Sequence, residues 1–269
     1  MMRGLRFLLY LAAVAYLGAA AVLYFTQRQL LYRPDVTIAE VPPALPRAVS
    51  QQILTADRET LNAWVVPPAE GKPVLLYLHG NAGNLSGRAA RFAALTANGN
   101  GLLAIDWRGY GGSTGEPSED GLMRDAEAAY ATALALAGSP QRLIIIGESL
   151  GTGPAIMLAT RQAAAGLILD APYSSIRDVA SDRYWMFPVS LLLVDPFRSD
   201  LLIGKIKVPL LIMHGDQDRV VPIRFGEKLF ALAPEPKEFM RVPGRGHLVL
   251  AIPDVMARAQ AWIDQVVNR

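Results

Sequence analysis

From residue 74 onward, short apolar runs alternate with longer amphipathic stretches, and few folds accept such an order. Val74 to Leu78, Leu102 to Asp106, Leu143 to Ile146, Leu167 to Asp170, Leu210 to His214 and Phe239 to Val242 read as strands. Most are apolar throughout, so they require cover on both faces. Between them Gly87 to Ala97, Asp120 to Ala137, Thr152 to Ala163 and Arg224 to Leu232 carry a helical pattern, with a last helix at Pro253 to Val267. Strand-helix alternation builds right-handed βαβ units, so the expected fold class is α/β: a mainly parallel sheet with helices on both faces. Upstream, Ser50 to Thr55 and Leu61 to Val66 flank the polar turn Ala56-Asp57-Arg58-Glu59 and predict an antiparallel hairpin, closed by Pro67-Pro68.

A second feature sits at the N-terminus. Phe7 to Phe25 contains no charge, and at about 1.5 Å per helical residue it nearly matches a ~30 Å hydrocarbon layer. Arg3 and Arg6 precede it, Arg28 follows, and tyrosines 10, 16 and 24 lie within it. A cleaved signal peptide is the competing reading, with a small-residue site at Ala19 to Ala21. The apolar run continues past that site to Phe25, which favours an uncleaved transmembrane helix over residues 1–26. Arginines flank it on both sides, so the charge bias does not orient it. Residues 27–49, with Pro34, Pro42, Pro43 and Pro46, are expected to be an extended linker, and 50–269 a single folded domain. Within that domain the interval 171–207 breaks the strand-helix rhythm, is rich in apolar residues, and is expected to be a short helical lid.

Composition excludes several classes. The net charge is +2 with no block of like charges, so no nucleic-acid footprint is present. The chain has no cysteine and only three histidines without metal-ligand spacing, so neither a thiolate nucleophile nor a bound metal is expected.

The pattern G-x-S-x-G occurs twice, and context separates the copies. Gly147-Glu148-Ser149-Leu150-Gly151 directly follows one predicted strand and opens a predicted helix, the strand-turn-helix that exposes a nucleophilic serine. Gly111-Gly112-Ser113-Thr114-Gly115 sits inside a loop, so Ser113 reads as a loop residue. A serine hydroxyl needs a base, and the base needs a carboxylate to orient it. His247, in the glycine-rich loop before the last helix, is the expected base; His214 ends a buried strand, and His79 precedes the serine, so both read as structural. For the carboxylate Asp218 leads, just past a strand end, with Asp170 and Asp216 as competitors. The loop His79-Gly80-Asn81-Ala82-Gly83-Asn84 follows a strand, and the main-chain N–H groups of Asn81 and Leu150 are the expected oxyanion donors.

Taken together, HGNAGN at 79–84, DWRGYGGSTGEPSE at 106–119, GESLG at 147–151, HGDQDRVVP at 214–222 and GRGH at 244–247 resemble the α/β-hydrolase superfamily, in particular its membrane-anchored branch. The resemblance covers most of the chain. It implies an α/β-hydrolase fold, a Ser149, Asp218, His247 triad, no cofactor, and hydrolysis of carboxylic esters or thioesters. Serine at 149 excludes an aspartate-nucleophile dehalogenase or epoxide hydrolase. The expected partners are therefore an acyl ester or thioester substrate and a lipid bilayer, with Trp185, Met186 and Phe187 of the lid as candidate substrate contacts. A hydrolase of soluble esters or peptides, and a non-catalytic binding protein on the same fold, are the alternatives.

Overall fold

Pairing of the apolar runs yields one eight-stranded sheet in the computed structural model, which describes residues 2–268. Residues 1 and 269, the outer ends of the expected anchor and hydrolytic domain, lie outside the described residues. The chain opens with helix α1 (Met2–Leu31), then β1 (Arg33–Pro34), β2 (Val49–Leu54), β3 (Thr60–Val66), β4 (Val74–Leu78) and β5 (Ala82–Gly83). Next come α2 (Ala89–Thr96), β6 (Gly101–Ile105), α3 (Glu119–Ala137), β7 (Leu143–Glu148), α4 (Thr152–Arg161) and β8 (Gly166–Asp170). The lid region holds α5 (Ile176–Arg183) and α6 (Val189–Leu192), followed by β9 (Leu210–Gly215), α7 (Ile223–Leu232), β10 (Lys237–Val242) and α8 (Pro253–Val267).

The sheet order is β10-β9-β8-β7-β4-β6-β3-β2. β2 and β3 form the expected antiparallel hairpin, β3 joins β6 antiparallel, and all other pairs are parallel. Alternate residues divide the core into two layers, as the period of a strand requires. Leu76, Leu78, Leu103, Ile105 and Ile145 pack with Ala126, Ala129, Ala155 and Met157 of α3 and α4. Leu75, Tyr77, Leu102, Ile144 and Ile146 pack with Phe92 and Leu95 of α2 and with Trp262 and Ile263 of α8. Full burial of each such side chain contributes about 1.5–3 kcal/mol, which makes β4, β6, β7, β8 and β9 the rigid centre.

Helix ends follow local chemistry. The Ser118 hydroxyl accepts from the Gly121 N–H and starts α3 one residue before the expected Asp120, while Gly138 ends it at φ +72°. α4 stops at Arg161 and not at Ala163, because Gln162 is extended and leads toward β8. The Asn84 side chain accepts from the Ser86 N–H and begins a 3-10 turn, Leu85–Arg88, before α2.

Residues 27–49 differ from an extended linker. α1 continues to Leu31, Arg33 pairs with Ala82 in a two-stranded parallel ladder, and Tyr32, Ala39 and Leu45 are buried. The Trp64 indole N–H donates to the Ala39 carbonyl at 3.1 Å, and the Gly111 N–H donates to the Asp35 carbonyl at 2.8 Å. These contacts dock the segment on the domain, so its prolines shape a surface strap and not a free tether.

The sheet places the loops of the expected site by connectivity. From β4 the chain passes to β6 on one side, then crosses back to β7 on the other. That reversal opens a crevice beyond the carboxyl ends of β4 and β7, where His79 and Ser149 begin their loops.

Candidate active site

β7 runs directly into a turn at which Ser149 adopts φ +49°, the left-handed region that side-chain-bearing residues reach at a cost of order 1–3 kcal/mol. Close packing explains the flanking glycines. A Cβ at position 151 would lie 2.1 Å from the Leu78 carbonyl oxygen, and one at 147 would lie 2.7 Å from the Thr152 Cα. α4 starts at once, with the Thr152 hydroxyl donating to the Ser149 carbonyl at 2.6 Å.

Two histidine-loop bonds connect the expected residues. The Ser149 hydroxyl donates to His247 Nε2 at 2.9 Å, and His247 Nδ1–H donates to Asp218 Oδ2 at 2.6 Å. The second oxygen of Asp218 accepts the N–H groups of Val220 and Val221 at 2.8 and 2.9 Å. Burial alone would raise the Asp218 pKa, but hydrogen bonds from His214 and His247 outweigh it and hold the carboxyl well below the usual carboxylate range. An ionised Asp218 keeps the proton of His247 on Nδ1, so that Nε2 is free to accept the serine proton.

The other candidates are sorted by what they face. Asp170 accepts from the Val249 and Leu250 N–H groups at 2.9 and 3.1 Å, so it pins the loop just after His247. Asp216 accepts from the Gly244 N–H at 2.8 Å and shapes the same loop from its other end. His214 Nε2 donates to the Val221 carbonyl at 2.8 Å. Ser113 donates to the Asp106 carbonyl and accepts from the Asn62 N–H, at 2.9 and 2.8 Å, inside its loop. His79 is buried, bonded to the Gly80 carbonyl at 2.7 Å, and burial pushes its pKa down to about 3, so it is a neutral packing element.

The loop after β4 is held from below by a residue that sequence reasoning passed over. Glu148, the variable residue before Ser149, is buried, and its carboxylate accepts from the Gly80 N–H at 3.1 Å and the Tyr77 hydroxyl at 2.6 Å. Arg88 Nη2 donates to it at 2.7 Å, and Arg91 Nη1 is bonded to its other oxygen. Burial works to raise its pKa, and the charges of Arg88 and Arg91 prevail and keep it strongly lowered. One carboxylate thereby ties the serine turn to the glycine loop. The signal was present in the sequence: an acid inside the motif, and two arginines three apart beyond the loop.

Asn81 is fixed on two further sides. Its carbonyl accepts from the Arg33 N–H at 2.8 Å and the Tyr110 hydroxyl at 2.9 Å, while its side chain donates to the Leu31 carbonyl at 2.8 Å. Its own main-chain N–H donates to no group among the described residues. Leu150 is the second residue of a 3-10 turn, Ser149–Gly151, where N–H groups have no partner within the turn.

A cavity of about 580 Å³ borders His247 and Asn81. Its walls are Leu23, Leu30 and Leu31 of α1 and Val179, Phe187 and Leu192 of the lid, with Arg33, Arg183 and Arg219 also on the lining and no carboxylate. Of the three lid residues expected to contact substrate, Phe187 lines this cavity. Trp185 and Met186 do not line it: they face outward, 78% and 58% exposed. Sequence spacing could not tell them apart, because all three lie in an irregular stretch between α5 and α6.

Comparison with known proteins adds the family. Residues 69–195 match the family model described as serine aminopeptidase, S33. An uncharacterised protein of Mycobacterium tuberculosis is 36% identical over 237 residues, covering 86% of this chain and 83% of that protein. The chain belongs to the α/β-hydrolase superfamily. Among relatives of this hydrolase, the lysophosphatidylserine lipase ABHD12 of Danio rerio is 38% identical over 201 residues, 67% of this chain and 51% of that lipase, so the match spans about half the lipase. The solved esterase of Pyrococcus furiosus superposes with TM-score 0.69 at 19% identity over 89% of this chain and 97% of its own. A membrane phospholipase A superposes over 100% of both chains with TM-score 0.63 at 19% identity. At such identities these two likenesses concern the fold.

Proposed function

We propose that this chain is a membrane-anchored serine hydrolase that cleaves the ester or thioester bond of acyl or lipid-like substrates. The observation that carries the proposal is the unbroken hydrogen-bonded series Ser149, His247, Asp218. His247 Nε2 takes the serine proton as Oγ attacks the acyl carbonyl, and the N–H groups of Asn81 and Leu150 receive the negative charge on the carbonyl oxygen. Collapse breaks the bond to the alcohol or thiol, which leaves with the proton from His247. Water, deprotonated by the same imidazole, then releases the acid and restores Ser149.

Substrate class is supported by the cavity beside His247. Its apolar walls suit an acyl chain, and its three arginines with no carboxylate suit an anionic head group. An aminopeptidase would have to hold a cationic amino terminus, for which this lining offers no counter-charge. A lipase among the relatives is in keeping with acyl-ester chemistry. α1, with most of its apolar residues exposed, supports the anchor.

The test is active-site labelling. A fluorophosphonate should label the wild type and the Ser113→Ala variant, and both should hydrolyse p-nitrophenyl acetate. Ser149→Ala should do neither while keeping its fold, and labelling retained in that variant would refute the nucleophile.

A further inference from the structure

The lid and the anchor are packed together along a single face of α1. Ala20, Leu23, Thr26, Gln27 and Leu31 are half-buried while their neighbours on the helix are exposed, a spacing of three and four that defines one stripe. The Tyr16 ring stacks on Phe187 with centroids 5.2 Å apart and planes 12° from parallel, and its hydroxyl donates to the Met186 carbonyl at 2.8 Å. From Tyr16 to Gln27 the contact runs roughly 16 Å along the helix. Tyr16 is the midpoint of the uncharged run Phe7 to Phe25, roughly 14 Å from either end. Whatever depth that run occupies, the tip of the lid occupies it too.

The lid has the chemistry for such a position. Tyr184 to Val194 contains no charged residue and is bounded by Arg183 and Asp195. Trp185, Met186, Leu191 and Val194 point outward, 78%, 58%, 83% and 48% exposed, and none of the four lines the cavity. Hydrocarbon cannot satisfy backbone polar groups, so a segment immersed in it must find partners within the protein. Here the N–H groups of Phe187, Val189, Leu191 and Leu193 bond to carbonyls within the segment. The Gln27 side chain of α1 adds two more, donating to the Leu192 carbonyl at 3.2 Å and accepting from the Val194 N–H at 2.8 Å. Below that point Arg28 pairs with Asp195 at 2.8 Å, where charge can meet water or head groups.

We propose that the lid segment 184–194 is immersed in the bilayer beside α1, and that the cavity opens sideways into hydrocarbon. An acyl chain then slides from the bilayer between Leu23 and Phe187 toward Ser149 without crossing water. The occupant of the exposed lid face is lipid hydrocarbon, argued from its continuity with the middle of the apolar helix. This inference rests on the anchored-hydrolase reading and adds to it that the anchor is a wall of the substrate site as well as a tether.

Trp185 is the reporter, since Trp64, Trp107 and Trp262 are buried at 0%, 0% and 9% exposure. The full-length protein is reconstituted into phosphatidylcholine vesicles that carry bromine on the acyl chains, and fluorescence is compared between wild type and Trp185→Phe. The expected result is that acyl-chain bromine quenches the Trp185 emission and aqueous iodide does not. Quenching by iodide and not by bromine, in protein that floats with the vesicles, overturns the immersion while leaving the anchor. Failure to float overturns both. As a second arm, Leu191→Lys should lower kcat/KM for a palmitoyl ester dissolved in the vesicles roughly tenfold or more, since a charge placed in hydrocarbon is costly. Its rate on p-nitrophenyl acetate should match wild type, which shows that the fold is intact. Equal loss, or no loss, on both substrates overturns the lateral route.

Discussion

Glu148→Gln isolates the buried carboxylate that joins the serine turn to the glycine loop. The change keeps the shape and removes the charge, leaving the guanidinium groups of Arg88 and Arg91, 11% and 12% exposed, without the carboxylate they share. Removing one partner of a buried ion pair costs about 3–5 kcal/mol. For a domain of this size that corresponds to a fall in Tm of roughly 6–20 °C, within a total stability of about 5–15 kcal/mol, so the variant should still fold. The Gly80 N–H loses its charged acceptor at the same time, and the neighbouring Asn81 N–H loses its fixed aim. Complete loss of an oxyanion donor lowers kcat by about 10²–10³, so a misaimed one should lower it by roughly 10–10² with KM for p-nitrophenyl acetate little changed. The sign of the pH effect follows from the lowered pKa of Glu148. The unfolded chain binds a proton at this carboxyl below about pH 4.3 and the folded chain does not, so its stabilising contribution is complete above that range and fades as pH falls. Thermal melts of both proteins at pH 7 and below pH 4, with kinetics at pH 7, provide the comparison. The wild type should lead clearly at pH 7, and the gap should narrow in acid. An equal Tm at pH 7, or a gap that stays constant down the acid limb, would refute the ion-pair argument; an unchanged kcat would refute the positioning role.

Asp218→Asn should lower kcat about 10⁴-fold by setting the wrong imidazole tautomer, the magnitude of the known serine-protease case. Asp170→Asn should act differently, costing about 1–3 kcal/mol of stability through the loop at Val249 and Leu250; if Asp170→Asn were the catalytically crippled variant and Asp218→Asn near normal, the acid would be misassigned. Across p-nitrophenyl esters from acetate upward, below micelle-forming concentrations, kcat/KM should rise up to roughly fourfold per methylene until the cavity fills; a steady decline from acetate would reject an acyl pocket. The full-length protein should stay with membranes through salt and alkaline washes, and a mature N-terminus near residue 27, found by mass spectrometry, would instead show a cleaved leader.

How far the fold was legible depends on the element. The last helix, Pro253–Val267, begins and ends where its pattern does, because a proline at its first position and a regular apolar stripe act locally. The apolar runs could be read as covered strands for a similar reason: continuous burial needs no knowledge of the neighbour. The sharp turn at Ser149 was legible because a strand, two crowded glycines and a helix meet within a few residues, and the loop that carries His247 because its glycines precede α8.

Everything that depends on which group lies opposite was decided by the tertiary structure. Asp170, Asp216 and Asp218 lie at or just beyond the carboxyl ends of two neighbouring strands, and only packing puts the first on a backbone loop, the second on a turn and the third on His247. Glu148 looked like the variable letter of a motif until the fold brought Arg88 and Arg91 over it. Trp185, Met186 and Phe187 are alike in composition, and which of them turns inward was settled by the approach of Tyr16 from some 170 residues away. The amino-acid order by itself determined where the main strands and helices and the sharp turn at Ser149 form, because those follow from short-range sterics and periodicity. The folded chain alone decided which carboxylate meets His247, which one ties the serine turn to the glycine loop, and which lid residue lines the cavity, because hydrogen bonds and burial act between residues that only the fold makes neighbours.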